Sequence, residues 1–140
     1  MNRPETYTYP AVFEYSEGLW GVTFPDLDNA YAAMDTLDEA ILEAKTVLEE
    51  CLYFREEQND EIPAPTPLEK VASPAGGIAQ LVVADMKAAR REMSQRAVKK
   101  TLTIPYWMEA ELKKAPALNV SALLQRAIVK ELHLKAPVGA

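Results

Sequence analysis

Polar side chains alternate with apolar ones in the stretch VKKTLTI, residues 98–104. Side chains of a β-strand point alternately to opposite faces, so Lys99, Thr101 and Thr103 would share one face if this stretch is a strand. Lysine and threonine tips can read base edges in the DNA major groove, which admits a two-stranded ribbon. The same residues on one edge strand would only be its solvated face. The elements that follow the strand decide between these interpretations.

Those elements favour the DNA interpretation. Pro105 suits the first position of a helix over 106–114. A second helix starts near Asn119, with Asn119 or Ser121 as its N-cap, and runs to Leu132. A unit of about 40 residues buries too little apolar surface alone, so we expect two copies to pair. Two strands joined across a two-fold axis would then present six polar side chains on one ribbon face.

Charge is segregated along the chain. Residues 1–85 contain 4 Lys or Arg and 17 Asp or Glu, a net charge of −13. Residues 86–140 contain 11 basic and 4 acidic residues, a net charge of +7, and the two parts sum to −6. This asymmetry indicates a polyanion-binding module joined to a part that repels nucleic acid or binds a basic partner.

The acidic part has the pattern of a small α+β domain. Strands are predicted at residues 6–15, 19–24, 30–34 and 78–83, the last as a buried strand. Between the third and fourth strands, Thr36 with Glu39 three positions on predicts the start of a helix that runs to about Glu57. We therefore assign residues 1–85 to one domain, 86–97 to a connector and 98–135 to a second domain.

The composition excludes several classes of protein. One cysteine, Cys51, and one histidine, His133, exclude a disulfide framework, a cysteine-rich zinc site and most catalytic triads. The chain starts without a signal-peptide pattern and its apolar runs are too short for a membrane span, so we expect a cytoplasmic protein. Asp26 and Asp28 fail the calcium-loop template, because Ala30 stands where an oxygen ligand is needed. No cofactor and no metal are expected.

The basic end, residues 99–132, resembles a ribbon-helix-helix repressor domain in its ribbon, its proline at the first helix and its "NVSALLQRAI" at the second. Together with "YPAVFEY", "GVTFPDLDNA" and "DTLDEAILEAKTVLEECL", the whole chain is similar to the HicB family of antitoxins. Some members of that family resemble helix-turn-helix proteins at this end. The alternation over 98–104 favours the ribbon here.

The resemblance implies a non-enzymatic antitoxin with two tasks. A degenerate, partial RNase H-like N-terminal domain would bind and mask a HicA-type toxin, a small RNA-cleaving protein. A C-terminal ribbon-helix-helix domain would form a homodimer, bind operator DNA and repress the toxin-antitoxin operon. The residues implied in DNA binding are Lys99, Thr101 and Thr103 on the ribbon, and Asn119, Val120 and Ser121, whose backbone amides would hold a phosphate.

The candidate toxin contacts are Trp20, Phe24, Asp26, Leu27 and Asp28. Apolar residues of this kind are more often part of a core, and the family usually has proline and glycine after "PDL", where this chain has Asp28 and Asn29. Two other functions stay open from sequence. One is a stand-alone ribbon-helix-helix regulator whose N-terminal domain senses a small molecule, and the other is a metal-dependent nuclease that uses Asp26.

Overall fold

A computed structural model describes residues 3–135 and divides the chain into two compact units, Met1–Met93 and Ser94–Ala140. The strands are β1 (Thr6–Ser16), β2 (Leu19–Phe24), β3 (Leu27–Met34) and β4 (Ile78–Asp85). The helices are α1 (Leu37–Gln58), α2 (Met86–Ser94), α3 (Tyr106–Lys113) and α4 (Val120–Glu131), with a short 3-10 helix at Leu68–Lys70. No helix among the described residues has both the length and the apolar content needed to cross a bilayer.

The four strands form one antiparallel sheet in the order β3-β2-β1-β4. A two-residue turn joins β1 to β2, and both of its residues, Glu17 and Gly18, have positive φ angles of 53° and 83°. This conformation matches the twist of a hairpin. The third strand begins at Leu27, earlier than the predicted Ala30. A register shift at Phe24 lets Leu27 pair with it directly, so the connecting loop is shorter than expected.

Helix α1 packs across one face of the sheet. Its predicted N-cap is confirmed, because the Thr36 hydroxyl accepts a hydrogen bond from the Glu39 backbone N–H at 3.1 Å. Its buried residues meet the apolar side chains of the strands, among them Tyr9 and Phe13, in a single core. The helix ends at Asn59, which adopts a left-handed conformation with φ 56°.

The fourth strand lies at the sheet edge, where the sequence predicted a buried strand. Val82 and Ala84 face the core, whereas Leu81 and Val83 are about half exposed. A continuous apolar run does not show whether a strand is covered on both faces. Because β4 pairs only with β1, one of its edges is unpaired, and because α1 packs against one face of the sheet, Leu81 and Val83 on the other face stay exposed.

Helix α2 belongs to the first unit, and its Met86 and Ala89 are buried there. The helical connector predicted from residue 86 onward is thus formed as far as Ser94. In the second unit, residues 97–105 form neither helix nor strand. A β-ladder needs a second strand, and the described part of this unit contains none, so the predicted strand over 98–104 has no partner in a single chain.

Candidate functional site

The segment before α3 separates its polar and apolar side chains. Leu102 and Ile104 line a cavity between α3 and α4, whereas Lys99, Thr101 and Thr103 do not line it and are exposed. This segregation follows the alternation in the sequence. The second unit therefore brings the predicted ribbon residues to solvent on a segment from which Leu102 and Ile104 face the helices, whereas Val98, expected on the same side, is 88% exposed and does not line the cavity.

The cavity has a volume of about 550 Å³ and an almost wholly apolar lining. Six of its lining residues are Leu102, Ile104, Trp107, Met108, Leu112 and Leu124. No described residue of the second unit is buried, and Trp107 remains 64% exposed. Soluble domains rarely leave a contiguous apolar surface of this kind open.

Asn119 begins α4 as its N-cap, and its Oδ1 accepts the N–H of Ala122 at 3.0 Å. The alternative cap, Ser121, lies inside the helix and is exposed. Val120 also lines the apolar cavity, so its contribution to an anion site would be its backbone amide. The first turn of a helix has unpaired N–H groups and a partial positive charge, which suit a phosphate.

The five predicted toxin contacts lie in different environments. Phe24 and Leu27 are only 3% and 1% exposed and belong to the core. Trp20 is half-buried and packs against Tyr15 with tilted rings, the ring centroids 5.5 Å apart and the ring planes at 54°. Asp28 is exposed. Because Phe24 and Leu27 have almost no solvent-accessible surface, a partner docking on this fold would not contact them.

The fifth of these residues, Asp26, holds the proline-rich loop. Its carboxylate accepts the backbone N–H of Thr66 at 3.0 Å and the Thr66 hydroxyl at 2.6 Å. Nearby, the Tyr9 hydroxyl donates to the Pro63 carbonyl, and burial, together with the charges of Tyr7 and Asp26, raises the pKa of Tyr9. Within residues 3–135, no three His, Cys, Asp or Glu side chains come together as a metal site.

One buried carboxylate was not predicted from the sequence. Glu56 is 4% exposed and continues the buried face of α1, four residues after Leu52 and eight after Leu48. Arg90 of α2 and Arg3 pair with it at 2.7 Å and 3.5 Å. The i, i+4 spacing was visible in the sequence, and a carboxylate on an apolar helix face needs a charged partner when it is buried.

A second missed feature is a cavity of about 370 Å³ between the edge strand β3 and α1, which we call the β3–α1 notch. Its lining residues are Asn29 and Tyr31 from β3, and Val47, Glu50, Cys51 and Phe54 from α1. The buried Cys51 thiol donates to Asn29 Oδ1 at 3.4 Å and closes the floor of the notch. The helical pattern alone did not show that strand and helix residues meet here.

Residues 9–127, which include parts of both units, match the family described as the HicB_like antitoxin of bacterial toxin-antitoxin systems. The chain belongs to this family. The resemblance inferred from sequence is thereby confirmed, and this HicB-like antitoxin has relatives among characterised proteins. It is 40% identical over 58 residues to Antitoxin HicB 2 of Photorhabdus laumondii. That segment covers 41% of this chain and 42% of the relative.

Solved structures extend the comparison over most of the chain. A chain of a toxin-antitoxin complex from Streptococcus pneumoniae is 25% identical, with a TM-score of 0.59 over 90% of this chain and 99% of that one. The Burkholderia pseudomallei antitoxin HicB is 22% identical, with a TM-score of 0.51 over 90% of this chain and 98% of that one. The predicted α+β class, with an antiparallel sheet and a main helix, is confirmed.

Proposed function

We propose that this HicB-like antitoxin neutralises a HicA-type RNA-cleaving toxin through its first unit. In the same proposal, the second unit forms a homodimer that binds operator DNA and represses the antitoxin's own operon in the cytoplasm. The observation that carries the proposal is the second unit's uncovered apolar cavity, together with the segregation of Lys99, Thr101 and Thr103 from it. The protein would act by binding, without catalysis or a cofactor.

Dimerisation is inferred from the lack of buried residues in the second unit as far as residue 135. Trp107 is 64% exposed and Leu102 is 54% exposed, so these side chains contribute little free energy of folding in a single chain. A second copy supplies the same apolar side chains across a two-fold axis. It also supplies the strand that residues 98–104 need, so the ribbon and the covered core form in one step.

DNA binding follows from the geometry of that dimer. With Leu102 and Ile104 turned toward the helices, the paired strands present Lys99, Thr101 and Thr103 from each copy to the major groove. The amide groups around Asn119, Val120 and Ser121 would hold a backbone phosphate on either side of the ribbon. The net charge of +7 over residues 86–140 strengthens attraction to the duplex.

Toxin binding is assigned to the first unit. The net charge of −13 over residues 1–85 favours a basic partner over nucleic acid, and complementary charge speeds encounter. A similar solved chain, at 25% identity, comes from a complex described as toxin-antitoxin. Asp28 and Trp20 remain contact candidates. The antiparallel meander with a helix across it supports the partial RNase H-like assignment of this domain. In the proposed organisation this domain covers residues 1–85, a connector covers 86–97 and the DNA-binding domain covers 98–135.

The test measures two affinities of the purified full chain. One is for the small basic protein encoded in the adjacent reading frame, and the other is for a DNA fragment from the region upstream of both genes. We expect both ligands to bind, with submicromolar affinity for the DNA at low salt. Absence of toxin binding would overturn the antitoxin assignment, and binding to random DNA as tightly as to the upstream fragment would overturn the repressor assignment.

A further inference from the structure

The β3–α1 notch places two solvent-exposed aromatic rings on the same cavity as a carboxylate. Tyr31 is 70% exposed and Phe54 is 54% exposed, although both are next to a packed core. Glu50 lies between Val47 and Phe54 along α1 and is half-buried. Exposed aromatic side chains grouped around a cavity are typical of binding surfaces.

The helix side of the notch extends along one stripe of α1. Glu43, Val47, Glu50 and Phe54 follow at i, i+4, i+7 and i+11, so they lie on the same helix face. This stripe alternates acidic with apolar character. The stripe borders the buried face of α1 that contains Cys51. Because Cys51 is buried and its thiol donates a hydrogen bond to Asn29, packing fixes the floor of the notch.

The aromatic rings, the carboxylate and the apolar residue that line the notch are together suited to bind a long basic side chain. A lysine or arginine cation is attracted to the faces of aromatic rings such as Tyr31 and Phe54. A carboxylate such as Glu50 accepts charge-assisted hydrogen bonds from it, and Val47 can pack against its aliphatic stem. A neutral or acidic side chain would use only part of this lining.

Charge across the first unit favours a basic protein as the source of that side chain. Residues 1–85 contain four basic residues, and three of them already bind within the unit. Arg3 pairs with Glu56 and Glu57, Lys45 pairs with Glu49, and Arg55 donates to the Glu61 carbonyl. The surface field that an approaching partner meets is thus strongly negative.

We propose that the β3–α1 notch is the site at which the antitoxin captures a lysine or arginine side chain of its toxin. This inference rests on the proposed function of the first unit and identifies where on that unit the toxin is anchored. It adds Tyr31, Glu50 and Phe54, none of which the sequence analysis selected, to the contact candidates Asp28 and Trp20.

The test compares matched variants of the full chain against the purified adjacent-frame toxin by titration calorimetry. Glu50→Lys and Phe54→Ala should each weaken binding by about tenfold, which corresponds to loss of an anchored cation. Glu14→Lys makes the same charge change on the opposite face of the sheet, and Leu42→Ala shortens a side chain of α1 that is 74% exposed. Both controls should bind within about twofold of the unchanged protein.

A charge exchange identifies the captured residue. Each lysine and arginine of the toxin is changed in turn to glutamate, and one such variant should bind Glu50→Lys better than it binds the unchanged antitoxin. Circular dichroism checks the fold of every variant. If Glu50→Lys does not fold, Tyr31→Ala replaces it, because that side chain is mostly exposed.

The outcomes separate the two proposals. If the unchanged protein does not bind the toxin, the antitoxin assignment fails and the notch assignment fails with it. If the unchanged protein binds but the folded notch variants bind as tightly as Glu14→Lys and Leu42→Ala, only the notch assignment is overturned. Weaker binding confined to the notch variants, with recovery by charge exchange, supports it.

Discussion

Arg90 donates two hydrogen bonds to the carboxylate of Glu56, from Nε to Oε2 at 2.9 Å and from Nη2 to Oε1 at 2.7 Å. The two residues lie 34 positions apart, on α2 and α1. Arg90 also donates to the Pro4 carbonyl at 2.7 Å, and hydrogen bonding to Glu56 raises the pKa of Arg90. This bidentate pair fixes α2 to α1 and makes the start of the connector part of the first unit.

Removal of this pair should destabilise the first unit. Arg90→Ala leaves Arg3, at 3.5 Å, as the cation beside the buried Glu56 carboxylate, so we expect the free energy of unfolding to fall by about 3 kcal/mol. Urea denaturation followed by circular dichroism measures the change. Lys87→Ala, an exposed position on the same helix, is the control and should change stability by less than about 0.5 kcal/mol. Equal effects of the two substitutions would contradict this role.

The same cluster predicts a loss of stability at alkaline pH. Burial, followed by the nearby Glu56 carboxylate, raises the pKa of Tyr7 above its ordinary value of 10.0. The stability that neutral Tyr7 contributes is therefore complete below pH 10.0 and is lost as pH rises through the higher folded-state pKa. The difference in unfolding free energy between the unchanged protein and Tyr7→Phe should stay constant at neutral pH and decrease above pH 10.0. A difference that does not change across this range would refute the assignment.

Asp26 should matter for the loop that follows α1. Asp26→Ala removes both hydrogen bonds from Thr66, and we expect a loss of about 2 kcal/mol in the free energy of unfolding because the acceptor in both is a carboxylate. Limited proteolysis should also cut residues 59–77 faster. Asp28→Ala, an exposed neighbour, is the matched control and should leave both measurements unchanged. Unaltered proteolysis of Asp26→Ala would show that the loop is held by other contacts.

Two adjacent lysines should differ in their effect on operator binding. In a strand, Lys99 points to the same face as Thr101 and Thr103, whereas Lys100 points to the same face as Leu102, which faces the helices. Lys99→Ala should therefore remove specific operator binding, and Lys100→Ala should weaken it only slightly. Fluorescence anisotropy at several salt concentrations tests this, with a log-log slope of about −0.9 per neutralised phosphate. Toxin binding should be unaffected, and its loss in Lys99→Ala would contradict separate binding sites.

The apolar cavity of the second unit predicts which side chains hold the dimer. Leu124 lines the cavity and Val129, on the same helix, does not. Leu124→Lys should convert the dimer to a monomer, with a measured mass near 15.6 kDa in light scattering. Val129→Lys should leave the dimer intact. Dimers in both variants, or monomers in the unchanged protein, would rule out this interface.

The local features of the first unit could be predicted from sequence because short-range chemistry sets them. The bounds of β2 match the prediction, and the Thr36 cap forms as expected. The edge position of β4 could not be predicted, because it depends on which strand pairs with it. The Glu56–Arg90 pair was also missed, because its partners meet only after α1 and α2 have packed.

The candidate sites show the same limit. Alternation over 98–104 predicted that Val98, Leu102 and Ile104 turn toward the helices, and Leu102 and Ile104 do so, whereas Val98 stays exposed. Phe24 and Leu27 were candidate toxin anchors, but apolar character alone does not separate a core residue from a surface anchor, and both are buried. The β3–α1 notch joins a strand to a helix that follows it, and no spacing rule along one element reveals such a meeting.

The absence of buried residues in the described part of the second unit has a consequence for gene control. If that end gains its packing only when two molecules meet, its formation is a second-order process, and the pool of competent repressor scales at low abundance with the square of the amount of protein. If cell growth halved the concentration of this protein, the concentration of the dimer that binds the promoter would then fall to about a quarter. Under the proposed function, transcription would then resume while the first unit of each molecule, which has its own core, would still bind toxin.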